Sequence, residues 1–382
     1  MIYRAVQTLF LLLGILPLLS GCQEEAEATP AVLGSTEEIL QTIDTSFQWG
    51  VMLKPNSRTT EMAVDLGCNY VRFPIPWNIV EKEIPNPTLL VEEITPQMVA
   101  EYAFSDPTKN WSGIDQKIDD CLDQGLDPFI VLACGFTKRL PTLENGTPFT
   151  PDIGRDTFLG HLSLFAQAAA LRYGDRVDYW QLENELNAAG LTVTWGWRSG
   201  ELWKDPDFRT EILETLHKSV KQNDPSALVA VNFHTTLPTW PLDLVKWNTW
   251  IDIVGLDVYP NYLLGWPVLG EAVGSMVTLA KLASPGKRVV ILETGYPSQP
   301  GYQGFTEKRQ SEYMEEAVES ALSAGADGFY WYSLEGEEQP GNTGVQFPFT
   351  LIESVEGYFG LVKPDGSKKP VYNKYRSIIA GE

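Results

Sequence analysis

The sequence predicts an α/β fold, a single-domain (β/α)8 TIM barrel. Three observations carry that prediction. From Thr45 onward, short β-rich runs alternate with longer helical patterns, the signature of βαβ units and a parallel sheet. The runs number eight, more than a doubly wound sheet usually has, and no Gly-x-Gly-x-x-Gly or Walker sequence marks a glycine-rich first turn. Polar and acidic residues collect where the β-rich runs stop, and barrels of this kind keep their sites at the C-terminal ends of the strands.

The chain begins outside that barrel. A single positive charge, Arg4, is followed by an apolar run over residues 9–19 that is too short to span a membrane and is interrupted by Pro17. It ends in Leu19-Ser20-Gly21-Cys22, which resembles a bacterial lipobox. Residues 1–21 therefore read as a signal peptide, Cys22 as the lipidation site, residues 22–44 as a solvated tether, and residues 45–382 as the barrel. The expected location is the cell envelope, with a lipid on Cys22 as the membrane contact. The alternative is a secreted protein with an ordinary cleavage site. A formal charge of −22 argues against nucleic acid as a partner. Beyond Cys22 lie Cys68, Cys121 and Cys134, with no Cys-x-x-Cys spacing and only three histidines in the chain, so no metal site is expected. Cys68 and Cys121 are the candidates for a disulfide, with buried free thiols as the alternative.

Eight candidate strands follow in order, at 47–53, 69–74, 128–133, 177–183, 228–233, 251–258, 288–292 and 328–332. Apolar residues recur at three- and four-residue steps most clearly over 157–173, 208–222, 271–282 and 307–324, and an amphipathic segment at 370–379 closes the ring. Long insertions at 75–112, 135–152, 186–205 and 333–358 all follow strands, so in a barrel they wall one face.

The chemistry sits at two strand ends. Strand four runs into Gln181-Leu182-Glu183-Asn184-Glu185, and strand seven stops at a single acid, Glu293. Face to face across a cleft, Glu185 and Glu293 would form the carboxyl pair of glycoside hydrolysis. One acid protonates a poor leaving oxygen while an anion stabilises or captures the oxocarbenium-like centre on the other side. Strand alternation puts Gln181, Glu183 and Glu185 on one face. Glu183 is the nearest rival for the acid role and is otherwise a buried hydrogen-bond partner.

On these residues the chain from about Thr45 to its end resembles glycoside hydrolase clan A, the retaining (β/α)8 glycosidases, where an Asn-Glu pair ends strand four and a lone Glu ends strand seven. Asn184-Glu185 and Glu293 stand at those places. The resemblance implies that Glu185 is the acid/base and Glu293 the nucleophile. It also implies that Arg72, in Tyr70-Val71-Arg72-Phe73-Pro74, is the strand-two arginine that keeps the nucleophile ionised. Tyr259 resembles the strand-six tyrosine that donates to the nucleophile, and Trp331 the strand-eight tryptophan beneath the reacting sugar. Glu293-Thr294-Gly295-Tyr296-Pro297-Ser298 is similar to the nucleophile motif of family 17 β-1,3-glucanases, and the stretch Phe359-Gly360-Leu361-Val362-Lys363-Pro364-Asp365-Gly366 to a common clan ending. Where family 5 cellulases carry a histidine after strand three and His-x-Tyr at strand six, this chain has Ala133-Cys134-Gly135 and Asp257-Val258-Tyr259.

His234, after strand five, either reaches the cleft or packs beside aromatics. Trp77, Trp195, Trp197, Trp203 and Trp266 lie in loops after strands, where aromatic planes would suit the C–H faces of sugar rings. The expected substrate-binding set is Arg72, Asn184, His234, Tyr259, Trp331 and Trp197. The expected function is β-glycoside hydrolysis by double displacement, endo-acting on a β-glucan or related polysaccharide, with no cofactor because the two acids suffice. Exo-β-glycosidase, β-mannanase or β-galactanase action on the same barrel is the alternative among enzymes. A surface glycan-binding lipoprotein without catalysis is the alternative outside them.

Overall fold

A computed structural model of the chain describes residues 47–132, 135–190, 198, 200–336 and 355–382. Cys22 and the leader and tether expected before Thr45 lie outside the described residues, as do Cys134, Trp195 and Trp197. The unit from Thr36 to Glu382 is organised around eight strands closed into a barrel. They are β1 (Gln48–Met52), β2 (Tyr70–Pro74), β3 (Asp127–Leu132), β4 (Tyr179–Leu182), β5 (Leu228–His234), β6 (Ile253–Val258), β7 (Arg288–Thr294) and β8 (Gly328–Trp331). All pairings are parallel, each strand lies beside its neighbours in the chain, and β8 closes on β1 with Gln48 opposite Gly328.

One main helix follows each strand: α1 (Ser57–Leu66), α2 (Ser112–Leu122), α3 (Arg155–Tyr173), α4 (Pro206–Asn223), α5 (Trp240–Trp247), α6 (Ala272–Ala283), α7 (Glu307–Ser323) and α8 (Pro370–Ala380). The apolar period leaves α1 unmarked, because its first turn carries two threonines. Its ends are set by local chemistry instead. Asn56 accepts from the Arg58 and Thr59 amides at one end, and Gly67 takes a left-handed φ of 83° at the other.

Alternation along the strands sorts residues into two apolar layers. Val71, Ile130, Val231, Val254 and Phe329 face the helices, while Phe129, Ala230, Ile253, Val290, Leu292 and Tyr330 fill the barrel interior. Gly50 makes room for that filling, since a Cβ there would lie 2.2 Å from the Tyr330 ring. Toward the C-terminal ends of the strands the interior turns polar. Tyr70 is followed on its face by Arg72, Tyr179 by Gln181, and Ala230 by Asn232. A polar layer above an apolar plug needs its own hydrogen-bond partners, and that requirement builds the site.

The insertion at 75–112 packs on α3 rather than standing over the barrel mouth. Trp77 stacks on Phe165 at 5.6 Å and Trp111 on the same ring at 6.0 Å. Trp77 is buried there, and Trp203 is buried against Phe158 and Phe208. The expectation that these two tryptophans form open sugar platforms is thereby corrected. Cys68 and Cys121 are buried free thiols, and burial pushes the Cys121 thiol up to about 12. Among the described residues no helix is long and apolar enough to cross a membrane.

Candidate active site

The barrel mouth brings Arg72, Asn184, Glu185, His234, Tyr259 and Glu293 together from five strand ends. Glu293 is the centre. Arg72 Nη1 donates to its Oε1 at 2.7 Å and Tyr259 Oη to its Oε2 at 2.9 Å. The other edge of the guanidinium is also engaged, with Nε donating to Gln181 Oε1 at 2.8 Å and Nη2 to Asn184 Oδ1 at 2.9 Å. Arg72 is thus fully buried and held on three sides, as a buried cation must be.

A register shift in β7 explains how Glu293 comes to face inward. Leu256 pairs with Ile291 but Asp257 pairs with Glu293, so one extra residue is accommodated at Leu292. Leu292 already fills the interior, and strict alternation would send Glu293 toward the helices. The bulge re-aims it, and the next residue, Thr294, points to Tyr313 of α7 at 2.7 Å.

Strand four delivers its acids by a different device. After Leu182 the chain adopts left-handed backbone at Glu183 (φ 62°) and Glu185 (φ 47°), the only non-glycine residues with positive φ among those described. Such a conformation costs about 1–2 kcal/mol for each residue, and it persists because surrounding groups hold it. The Glu183 amide donates to Leu132 O at 3.1 Å, Gln181 Nε2 donates to Glu183 O at 2.8 Å, and the Glu185 amide donates to Asn232 Oδ1 at 2.8 Å. The turn separates the rivals. Glu183 is directed to the Gly135 amide at 2.7 Å and to Arg198 at 3.2 Å, both away from Glu293. Glu185 instead faces the cleft, with its Oε1 3.0 Å from His234 Nδ1.

One carboxylate oxygen from each of Glu185, Glu293 and Asp257 lies within 4.8 Å of the other two. Burial lifts Glu293 above its ordinary value and the Glu185 charge adds to this, against the pull of Arg72 and Tyr259. Burial also pushes Glu185 up, but His234, Arg198 and a hydrogen bond from Asp257 outweigh it and hold Glu185 low. For His234, burial is outweighed by the Glu185 anion, which lifts it above its ordinary value. Glu185 and His234 therefore titrate as a pair, each favouring the charged form of the other.

Trp331 is not at the cleft. Its side chain leaves β8 on the outer face, is buried beside Tyr313 of α7 at 6.1 Å, and donates Nε1 to Phe359 O at 3.0 Å. The expected sugar platform is corrected to a barrel-to-helix filler. One residue on, Tyr332 sits at the mouth, with its ring 6.3 Å from Tyr259 and 6.0 Å from Phe359. Trp266 stands open at 69% exposure on the loop after β6. Sequence reasoning did not assign Asn232 or Asp257. Both belong to the mouth, and the inward period Ile253, Gly255, Asp257, Tyr259 was the signal that pointed to the second.

No family model matches the chain. A curated relative, the β-galactosidase LacZ of Lactobacillus acidophilus, is 26% identical over 163 residues, which is 41% of this chain and 22% of that protein. The chain therefore spans about a fifth of the length of that relative. Among solved structures, the hyperthermophilic β-glucosidase from Pyrococcus furiosus superposes with a TM-score of 0.66 at 14% identity, over 88% of this chain and 96% of the other. The exo-β-1,4-mannosidase Op5Man5 from Opitutaceae bacterium strain TAV5 gives 0.60 at 15%, over 89% and 62%. A family 39 glycoside hydrolase from Bacteroides cellulosilyticus WH2 gives 0.57 at 16%, over 88% and 64%. These neighbours are all glycoside hydrolases. At such identities the likeness shows the fold, and the chemistry rests on the residues at the mouth.

The Arg72 clasp has a measurable consequence. Arg72→Met leaves the Glu293 carboxylate buried without its counter-charge, so equilibrium urea unfolding should show a loss of about 3–5 kcal/mol at neutral pH. A loss under about 1 kcal/mol would mean that water or another cation already satisfies Glu293.

Proposed function

We propose that the chain is a retaining β-glycosidase of the clan A type, acting by double displacement on a β-linked polysaccharide or oligosaccharide. The observation that carries this reading is the pair of buried carboxyls, Glu293 clasped by Arg72 and Tyr259 and Glu185 beside the proton-bearing His234, with oxygens within 4.8 Å. Retaining enzymes set their carboxyls about 5–5.5 Å apart and inverting ones about 6.5–9.5 Å, because the latter must admit a water between acid and sugar. The approach of one oxygen of each acid to within 4.8 Å favours the narrower, retaining separation. Arg72 and Tyr259 hold Glu293 as an anion aimed at the anomeric carbon. Glu185 gives its proton to the departing oxygen, and after departure it takes a proton from the water that frees the sugar. Asn184, which accepts from Arg72, Gln181 and Asn232, links the two acids through one hydrogen-bond network.

Endo action on a β-glucan is the reading favoured by Trp266, which stands exposed on the loop after β6. Exo action is a second reading, favoured because Trp77 and Trp203 are buried and two of the similar structures are a β-glucosidase and an exo-β-1,4-mannosidase by name. Incubation with a panel of β-glucans, β-mannans, β-galactans and short aryl β-glycosides tests both. Early release of mixed oligosaccharides marks endo action, and release of one monosaccharide marks exo action. No released reducing sugar on any member would leave a glycan-binding barrel.

Anchoring through Cys22 is proposed on the lipobox-like Leu19-Ser20-Gly21-Cys22. Labelled fatty acid should enter the wild-type protein and not Cys22→Ala, and the wild type should sediment with membranes. An unlabelled wild-type protein would contradict the anchor.

A further inference from the structure

We propose that Asp257 is a positioning residue that carries its own proton and donates it in a hydrogen bond to Glu185. The charges at the mouth do not balance in pairs. Four acids are buried there: Glu183, Glu185, Asp257 and Glu293. Each cation beside them already has an acid: Arg198 lies 3.2 Å from Glu183, Arg72 lies 2.7 Å from Glu293, and His234 lies 3.0 Å from Glu185. Asp257 is the one left over. Taking an unpaired carboxylate into a buried site costs so much that the group keeps its proton instead.

The hydrogen bonds agree with the count. Oδ2 of Asp257 accepts from Asn232 Nδ2 at 2.5 Å, while Oδ1 is buried and no donor among the described residues reaches it. An ionised aspartate offers only acceptors, so a buried oxygen without a donor beside another carboxyl is a loss on both counts. A proton on Oδ1 turns that loss into a donor inside the carboxyl cluster, where an oxygen of Glu185 lies within 4.8 Å of one of Asp257 and a hydrogen bond from Asp257 favours the Glu185 anion. The groups that face Asp257 are Glu185, Glu293, Arg72, His234, Tyr259 and the Asn232 amide. Burial, then the anions of Glu293 and Glu185, push its proton affinity well above the usual carboxylate range, and only Arg72 and Asn232 oppose them.

The catalytic consequence rests on the reaction proposed above. When the proton that Glu185 and His234 hold between them passes through Glu185 to the leaving oxygen, Glu185 is left an anion without a cationic partner, one of its oxygens within 4.8 Å of one of Glu293. A neutral Asp257 meets that new charge with a charge-assisted hydrogen bond, whereas an ionised Asp257 would meet it with repulsion. The Asp257 proton stays on Asp257 throughout. An apolar surrounding that keeps a carboxylic acid neutral so that it can donate is a known device of enzyme sites.

The test has a substrate-free arm and a kinetic arm. In resting protein labelled with 13C at the aspartate side-chain carboxyl, the Asp257 signal, assigned by its absence in Asp257→Asn, should report a protonated acid from pH 5 to pH 7. A signal that titrates below pH 5 overturns the proposal, and that outcome is independent of whether the protein is a glycosidase. In kinetics, Asp257→Ala loses the donor and should lower kcat about 100-fold with little change in KM, while Asp257→Asn keeps a donor and should lower it about fivefold. The alkaline limb of kcat/KM should stay in place in Asp257→Asn, because no charge has been removed. A fall of that limb by about one pH unit or more would show that Asp257 was an anion supporting the Glu185–His234 proton, and would sink the idea.

Discussion

Glu293→Ala loses at least about 10⁴-fold in kcat on every β-glycoside, good leaving groups included. In the proposed mechanism no neighbour replaces that carboxylate as the donor to the anomeric carbon: Arg72 carries no lone pair, Tyr259 has its proton committed to Glu293 and burial lifts its affinity for it far above the ordinary phenol, and Glu185 is held beside His234 for the acid role. Added azide can occupy the space left by the missing carboxylate and attack from that side, giving an α-glycosyl azide. Because the alanine also leaves Arg72 buried without its partner, some loss of stability will accompany the loss of activity. Glu293→Gln, which keeps the volume and one acceptor for Arg72 but not the charge, separates the two effects in part. It should lose less stability in urea than Glu293→Ala and still be inactive. Substantial turnover by folded Glu293→Gln would mean that another group is the nucleophile.

Glu185→Ala behaves differently at each step of the reaction. Departure of an alkoxide needs the Glu185 proton, so natural glycans should lose about 10²–10⁴-fold in rate. A dinitrophenolate leaves without help, and with such a substrate the glycosyl-enzyme forms at nearly the wild-type rate and then waits, because water has lost its base. A burst of phenolate followed by a slow steady state is the expected trace. Azide needs no base, so it should restore turnover and yield the β-glycosyl azide. The opposite anomers from the two alanine variants distinguish the roles of the two acids. An equal loss on natural and activated substrates, with no burst, would reassign the acid to Glu183, which in the fold is turned toward Gly135 and Arg198.

The barrel was legible because two periodicities are written plainly in the chain. Each of the eight strands ends within two residues of its expected place, since apolar runs buried on both faces have few alternatives in a parallel sheet. The mouth residues Glu185, His234 and Glu293 were legible because polar side chains at the end of such runs stand out against their surroundings, and Arg72 and Tyr259 through the resemblance to clan A. What alternation could not show was backbone irregularity. The bulge at Leu292 decides that Glu293 faces inward, and the left-handed turns at Glu183 and Glu185 decide which of the two reaches the cleft. Neither leaves a mark in a side-chain pattern, because both are maintained by partners such as Asn232 that are distant in sequence. The same blindness placed Trp331 at the mouth, where Tyr332 stands instead. In Phe329-Tyr330-Trp331-Tyr332 every residue is aromatic, so composition alone cannot say which rings face in. Trp77 and Trp203 among the loop tryptophans were misjudged for a related reason: a large ring in an insertion is as well used for packing, as Trp77 is on Phe165, as for binding.

Double displacement requires a glycosyl-enzyme formed at Glu293, and the stereochemistry of hydrolysis reads it most directly. Proton NMR of the anomeric region, followed from the first seconds of hydrolysis of a reactive aryl β-glycoside, should show the β-anomer of the released sugar first, with the α-anomer appearing only as mutarotation proceeds. Two inversions, one by Glu293 and one by water, leave no other result. Initial appearance of the α-anomer would mean a single displacement by water, and would contradict the assignment of Glu293 as the nucleophile.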